Sequence, residues 1–289
     1  MSVTSPGRGR DEALPLVRVP LEGERPSRLP RWLQVHRVPI WWFEILLVVV
    51  FDLAYEHVRN LVKLQPLEAI NHGLAVLHIT EWFHLDLERA FNGILMDNHW
   101  LATIANYDYA MLHLPLTAGI LIWVFWKHRD RYLPVRNVLM ITTLIGLVGF
   151  WVYPMAPPRL LPGDGFVDTV VYFNTWGSVA DPKMAAATNQ FAAMPSLHCA
   201  WALWCGLCLF FLARHRVLRV IGVVYPLWTV FVVLGTGNHF LLDAVGGATC
   251  VAISTAIVWK FRKRHPWAPP AVSTAVSPAE FEQTAPQAL

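Results

Sequence analysis

Six apolar stretches, each close to the length of a bilayer crossing, constrain the fold of this chain more than any other feature. A helix needs about 20 apolar residues to cross the hydrocarbon core, and a helix also satisfies its own backbone hydrogen bonds there. We therefore predict an all-α, polytopic membrane protein with six transmembrane helices. Their approximate limits are 39–59, 102–126, 136–155, 196–213, 217–237 and 239–259.

The composition agrees with a membrane protein, because the chain is 55% hydrophobic and only 15% charged. A soluble domain carries about 25% charged residues. The net charge of +3 is small, and we expect no nucleic-acid partner. Glu44, Asp52 and Glu56 interrupt the first stretch, and intramembrane acids usually face the bundle interior or an aqueous cavity.

The segment between the first two stretches is amphipathic and too charged to cross a membrane, with acids such as Glu68, Glu81 and Glu88. We predict that residues 66–97 form one or two helices that lie on the outer membrane interface. Such helices would form a lid or a lipid entry surface.

Basic residues alternate between the connections and predict the orientation. The short basic connections are 127–136, 214–219 and 260–264, whereas the long connections 60–101 and 156–195 hold few cations. The positive-inside rule then places the short connections and both termini in the cytoplasm. The excess of Arg over Lys is compatible with a GC-rich bacterium, and we predict a location in a bacterial plasma membrane with the active site on the outer face.

The two ends of the chain differ from its middle. Residues 1–37 are basic and contain several prolines, and residues 266–289 are rich in Ala, Pro, Ser and Thr. We predict disordered cytoplasmic tails at both ends. The remaining residues, 38–265, form the predicted six-helix domain.

Two short motifs place histidines at the mouths of apolar helices. The first is Met194-Pro195-Ser196-Leu197-His198, and the second is Gly237-Asn238-His239-Phe240-Leu241-Leu242-Asp243. His239 and Asp243 are four residues apart and share a helix face. A carboxylate at that spacing holds an imidazole in one tautomer and raises its basicity.

Arg159 adds a cation that suits phosphate. It follows two prolines in Pro157-Pro158-Arg159, and a guanidinium binds phosphate with paired hydrogen bonds. The predicted orientation puts Arg159, His198 and His239 at the outer face. Two histidines, an aspartate and an arginine there indicate phosphate-ester chemistry on a lipid.

The pattern Pro-Ser-x-His followed by His-x-x-x-Asp resembles the type 2 phosphatidic acid phosphatase superfamily over roughly residues 100–260. The segment Tyr153-Pro154-Met155-Ala156-Pro157-Pro158-Arg159-Leu160 is most similar to the branch that holds fungal inositol phosphorylceramide synthases and many actinobacterial membrane proteins. The resemblance implies an enzyme that works through a phosphohistidine.

The resemblance also implies a role for each matching residue. His239 would be the nucleophile, and Asp243 would orient and polarise it. His198 would act first as the general acid and then as the base for water or an acceptor alcohol. Ser196 and Arg159 would bind the phosphate.

Further positions are similar to this branch or depart from the larger superfamily. Tyr107 and His113 resemble an aromatic and histidine pair of the branch, which makes them substrate-site candidates. The larger superfamily has an arginine six residues before the nucleophile, and this chain has Val233 there. A lysine of the first motif is also missing, so Asn238 or Thr236 would contribute to the phosphate pocket instead.

We predict no metal site and no cofactor. The Glu-x-x-His unit of di-iron bundles occurs twice, on separate helices, whereas His78-x-x-Glu81-x-x-His84 holds it once. Steps of six residues, as from His72 to His78 and His84, rotate about 240° each and do not share a helix face. Cys205-x-x-Cys208 lies in an apolar run without a second pair, which is typical of buried thiols.

Three functions remain open at this point. The first is a lipid phosphatase acting on a lipid phosphate monoester or diphosphate, and the second is a phosphotransferase that passes a phospho-headgroup to an alcohol such as inositol or a sugar. The third is a lipid transporter or flippase, in which acids of the first span and His113 would serve a proton-coupled path.

Overall fold

The computed structural model describes residues 41–61, 66–175, 190–262 and 265–267, and it is helical without strands over those ranges. Met155 and Ala192 form an isolated parallel bridge. The α-helices of the described ranges are α1 (Trp41–Leu61), α2 (Pro66–Trp82), α3 (Leu87–Asp97), α4 (His99–Tyr107), α5 (His113–Lys127), α6 (Arg129–Val152), α7 (Thr169–Tyr172), α8 (Leu197–Leu212), α9 (Arg216–Gly235) and α10 (Leu241–Arg262).

Four helical stretches of the described chain are long and apolar enough to cross a membrane, judged by length and composition. They are His99–Lys127, Arg129–Val152, Arg216–Gly235 and Leu241–Arg262. Trp41–Phe51 and Leu197–Leu212 are shorter apolar helices. The predicted all-α membrane fold is confirmed, and all six predicted stretches are helical. The count of six crossings stays a prediction.

A π-helical turn, Asp108–Leu112, joins α4 to α5 within one continuous helix. Such turns insert an extra residue into the helical repeat and occur frequently at functional sites. Asp108 lies buried at its start. The turn precedes His113, one of the predicted substrate-site residues.

A buried ion pair ties α1 to α6. Arg136 lies 2.6 Å from Glu44, and the Tyr132 hydroxyl donates to the same carboxylate at 2.9 Å. Glu44 is 5% exposed, so the prediction that it faces the bundle interior is confirmed. The side chains of Asp52 and Glu56 lie outside the described part of the chain.

The main core lies between α5, α6, α8 and α10. Trp204 is fully buried there, and its indole N–H donates to the Val135 carbonyl at 2.9 Å. The four cysteines, Cys199, Cys205, Cys208 and Cys250, are buried and free. The prediction of buried, unpaired thiols is therefore confirmed.

The charged segment between the first two apolar stretches forms α2 and α3. Neither helix is among the candidate membrane crossings of the described chain. Helix α3 buries one stripe of side chains, Glu88, Asn92 and Leu95, and packs against α9. Whether these helices lie on the membrane interface remains a prediction.

The predicted tails, 1–37 and 266–289, lie outside the described ranges except for residues 266 and 267. Trp267 is described and is 5% exposed, with its ring stacked on Phe211. The packed part of the chain therefore reaches two residues beyond the predicted boundary at 265.

Candidate active site

Both histidine motifs lie at the same end of the bundle, because His198 is in the first turn of α8 and His239 directly precedes α10. Arg159 follows the carboxyl end of α6. Because α6 runs antiparallel to α8 and α10, its carboxyl end lies at the same end of the bundle as their amino ends. The basic residues Arg129, Arg214 and Lys260 occupy the other ends of these helices. The helix connectivity thus separates the candidate site from the basic connections.

The imidazole of His239 is held by Asp243. Its Nδ1 lies 3.1 Å from the Asp243 Oδ2, and that oxygen also accepts the Phe240 backbone N–H at 2.9 Å. Asp243 is fully buried. Since an ionised carboxylate only accepts hydrogen bonds, this contact favours the tautomer with its proton on Nδ1, whose lone pair is on Nε2. The predicted pairing of these two side chains is present.

A tight turn after α9 presents His239. Gly237 has a φ of +74°, which an L side chain rarely adopts. The backbone N–H groups of Asn238 and His239 both donate to the Val233 carbonyl at 3.1 Å. Val233 is fully buried. The residue that stands in place of the expected arginine therefore shapes this turn through its backbone and adds no charge.

The N-terminus of α8 is joined to α10 beside His239. The Ser196 backbone N–H donates to the Asp243 carbonyl at 2.9 Å. A Cβ at Gly247 would lie 2.3 Å from the Ser196 carbonyl oxygen, so only glycine permits this approach. The Ser196 hydroxyl accepts the Cys199 N–H at 3.4 Å and caps the helix.

This junction brings the two predicted histidines together. The ring centroids of His198 and His239 are 5.9 Å apart and the rings are tilted by 59°. A reacting atom sits about 3–3.5 Å from its attacking group before reaction. A single phosphorus centre can therefore be reached from both rings.

Arg159 lies against the same turn. Its backbone N–H donates to the Gly237 carbonyl at 2.9 Å, and its Nε donates to the Asn238 Oδ1 at 2.9 Å. Its Nη1 donates to Asp168 at 3.2 Å and to Gln190 at 3.3 Å. Arg159 is thus fixed beside the residue that precedes His239, and its role in phosphate binding stays a prediction. Asp168 and Gln190 were not predicted.

Of the predicted substrate-site pair, Tyr107 and His113, only His113 is shown to lie beside His198. The His113 ring lies 4.7 Å from the His198 ring, and the His113 Nδ1 lies 3.1 Å from the Tyr225 hydroxyl. Tyr107 is 44% exposed. Tyr109 stacks on His198 instead, at 4.6 Å.

The spacing of Tyr109 and His113 was a usable signal, because residues four apart share a helix face whereas residues six apart do not. No sequence pattern marked Tyr225, which reaches His113 from another helix.

Within the described ranges, no group of three or more His, Cys, Asp or Glu side chains is placed to hold a metal ion. His78, Glu81 and His84 in particular form no such group.

Comparison with known proteins identifies the family. A phosphoinositol dihydroceramide synthase of Bacteroides thetaiotaomicron is 28% identical to this chain over 205 aligned positions, which cover 58% of this chain. The chain spans 63% of that relative's length, which is less than two thirds. No solved structure matches. The sequence model of the PAP2 superfamily, the type 2 phosphatidic acid phosphatase superfamily, matches residues 74–257. The resemblance found in the motifs is confirmed, and the chain belongs to the PAP2 superfamily.

Proposed function

We propose that this protein is a membrane-embedded enzyme that breaks a phosphorus–oxygen bond of a lipid phosphate by forming a phosphohistidine on His239. The observation that carries the proposal is the approach of His198 to His239, 5.9 Å between ring centroids, with His239 bonded to Asp243. The arrangement supplies a nucleophile, its orienting carboxylate and a proton donor.

In the first step, the lone pair of the His239 Nε2 attacks phosphorus and the bond to the leaving oxygen breaks. Protonated His198 donates its proton to that oxygen. Asp243, hydrogen-bonded to Nδ1, stabilises the positive charge that His239 gains. In the second step, neutral His198 takes a proton from an incoming hydroxyl, whose oxygen attacks phosphorus, and the nitrogen–phosphorus bond breaks.

Phosphate binding falls to Arg159, Ser196 and the backbone at the start of α8. Asn238 holds the Arg159 Nε and belongs to the same turn as His239, which makes it an orienting member of the phosphate pocket. A helix N-terminus favours anions because its first N–H groups have no intrahelical acceptor. None of these steps uses a metal ion or a cofactor.

The fate of the phosphohistidine defines two candidate activities. Water as the incoming hydroxyl makes the protein a lipid phosphatase, with a polyprenyl or glycerolipid phosphate as the substrate class. An alcohol such as inositol or a sugar makes it a phosphotransferase. The name of the similar protein, phosphoinositol dihydroceramide synthase, favours this second candidate.

The membrane topology belongs to the same proposal. Six crossings would put both termini in the cytoplasm and the histidines at the outer face of a bacterial plasma membrane. The positions of basic residues at the ends of α6, α8 and α10 remote from the histidines support this orientation.

Turnover of purified protein tests the proposal directly. Phosphorylated lipids are supplied in detergent with and without inositol, and both free phosphate and new lipid are measured, with and without EDTA. We expect turnover that persists in EDTA and is lost in His239→Ala and His198→Ala. Free phosphate alone assigns a phosphatase, and a new lipid assigns a transferase.

Other outcomes would contradict the proposal. Turnover that survives both alanine variants would remove the histidines from the reaction and favour the lipid transporter of the same fold. Complete loss of activity in EDTA would show that the reaction requires a metal ion and would contradict the metal-independent mechanism.

A further inference from the structure

One face of α3 is polar although it is buried. Glu88 is fully buried and Asn92 is 4% exposed, and they lie one helical turn apart, with Leu95 next on the same stripe. Burying polar side chains is costly unless their polar atoms are hydrogen-bonded. The partners of these two residues therefore indicate what the face does.

Asn92 bonds to the beginning of the turn that carries His239. Its Nδ2 donates to the carbonyl of Gly235 at 2.7 Å. Gly235 is the last residue of α9, and the last carbonyls of a helix have no intrahelical donor. The bond therefore supplies a missing partner at the point where the chain leaves α9.

Glu88 bonds to the end of the same turn. Its Oε2 accepts the Leu241 N–H at 3.4 Å, and its Oε1 accepts the Thr80 hydroxyl at 2.9 Å. Leu241 begins α10, and a negative charge at a helix N-terminus is favourable. Glu88 and Asn92 thus contact opposite ends of the segment 235–241.

Asn92 also reaches the phosphate side of the site. Its Nδ2 donates to the Val167 carbonyl at 2.9 Å, and its Oδ1 accepts the Val167 N–H at 3.0 Å. The next residue, Asp168, holds the Arg159 guanidinium. A single amide therefore joins the turn of His239 to the loop that holds Arg159.

We propose that Glu88 and Asn92 are positioning residues that fix both ends of segment 235–241 and thereby set the place of His239 relative to Arg159. The inference rests on the proposed function, because it concerns the same site. The two side chains reach this segment through the backbone groups of Gly235 and Leu241. A displacement of about 1 Å at a reacting group can lower the rate a hundredfold.

Near-isosteric variants test the inference. Asn92→Asp removes the donor to Gly235 and keeps the acceptor for Val167. Glu88→Met removes the oxygen that accepts the Leu241 N–H. Glu88→Gln keeps one side-chain oxygen, which can still accept that N–H. We expect kcat to fall at least about tenfold in Asn92→Asp and Glu88→Met. KM should change less than about threefold, and Glu88→Gln should stay within about threefold of the wild-type kcat.

Two matched controls use the same chemical changes elsewhere. Asn98→Asp alters the cap of α4, which accepts the Leu101 N–H, and an aspartate caps equally well. Glu81→Gln alters an exposed partner of Arg89. Both should leave kcat unchanged. Asn92→Asp and Glu88→Met break different bonds, so one folded variant is sufficient for the test.

Hydrogen exchange separates this inference from the proposed function, because it needs no substrate. The amides of 235–241 should exchange faster in Asn92→Asp and Glu88→Met, while the interiors of α9 and α10 stay protected. If the wild type turns over no lipid phosphate, the proposed function fails and exchange still tests the two contacts. Unchanged exchange, or faster exchange with an unchanged kcat, would overturn the positioning role.

Discussion

The His239 Nδ1 lies 3.1 Å from the Asp243 Oδ2, one helical turn further along the chain. The same oxygen accepts the Phe240 N–H, so the carboxylate holds both the ring and the backbone that carries it. This contact orients the His239 ring, and the proposed mechanism uses its Nε2 as the nucleophile.

Asp243→Asn should lower kcat on the order of a hundredfold or more. An amide can turn its NH2 group toward Nδ1, which favours the tautomer whose proton is on Nε2, and it cannot neutralise an imidazolium. Steady-state turnover of a lipid phosphate measures the effect. Asp130→Asn is the matched control, because Asp130 is an exposed aspartate at the start of α6. Equal activity of the two variants would contradict the proposal that Asp243 orients and stabilises His239.

His198→Gln should slow substrates according to their leaving group. In the proposed mechanism a lipid alkoxide needs a proton from His198, whereas p-nitrophenolate leaves without one. We expect kcat to fall on the order of a hundredfold for a lipid phosphate and less than about tenfold for a p-nitrophenyl phosphate ester. His128→Gln, between α5 and α6, is the control. An equal loss on both substrates would argue against general-acid catalysis by His198.

Arg159→Lys should weaken phosphate binding about tenfold. A lysine ammonium cannot reproduce the planar guanidinium that Asn238, Asp168 and Gln190 hold. The inhibition constant of vanadate reports this affinity. Arg216→Lys, at the exposed start of α9, should bind vanadate normally.

Asp168→Asn should have a smaller effect than Arg159→Lys on vanadate inhibition, because Arg159 keeps its bonds to Asn238 and Gln190. The inhibition constant should rise by no more than about threefold. A larger effect than that of Arg159→Lys would mean that Asp168 acts on the ligand itself.

Gly247→Ala should separate α8 from α10 and disturb the site. The added Cβ would lie 2.3 Å from the Ser196 carbonyl oxygen, and overpacking of this kind costs about 1–3 kcal/mol. We expect a lower Tm in detergent together with a lower kcat. Gly119→Ala is the matched control, since a Cβ there meets no atom within 4 Å. Similar Tm values for both variants would refute the close approach.

Glu88 should make stability depend on pH. Burial raises the pKa of Glu88 above its ordinary 4.5, and the nearby Asp243 raises it further, although bonds from Thr80 and Leu241 oppose the shift. A raised folded-state pKa favours folding at low pH, and this contribution is lost as the pH rises through that pKa. Glu88→Gln does not titrate, so it should gain stability relative to the wild type at higher pH.

Thermal unfolding in detergent measures this difference. The Tm values of wild type and Glu88→Gln should lie closest together at acidic pH and diverge as the pH rises toward 7.5, with the variant higher. The exposed Glu81→Gln should follow the wild type at every pH. A difference that is constant with pH would contradict the burial of a titrating carboxylate.

Local patterns predicted much of this molecule. The apolar stretches are helical where their length and composition predicted helices, because a helix that crosses the hydrocarbon core needs about 20 predominantly apolar residues. Glu44 was expected inside the bundle and is there. The spacing also predicted the pair of His239 and Asp243, although His239 lies in the turn before α10 and not on the helix itself.

The sequence did not predict the contacts that join distant segments. Tyr107 was chosen for the site, yet the tyrosine that stacks on His198 is Tyr109. The hydrogen bonds of Asn92 and Glu88 to Gly235 and Leu241 span 143 and 153 residues of sequence. Nothing in the amphipathic pattern of residues 66–97 distinguished these two polar residues from a solvated face.

The sequence by itself therefore determined the helical membrane class, the family and the pairing of His239 with Asp243. Only the tertiary structure decided which aromatic ring accompanies His198, which residues hold Arg159, and which helix supports the turn of His239. The physical reason is that periodicity along a chain records how buried each residue is. The partner that buries it is set by the packing of whole helices against each other.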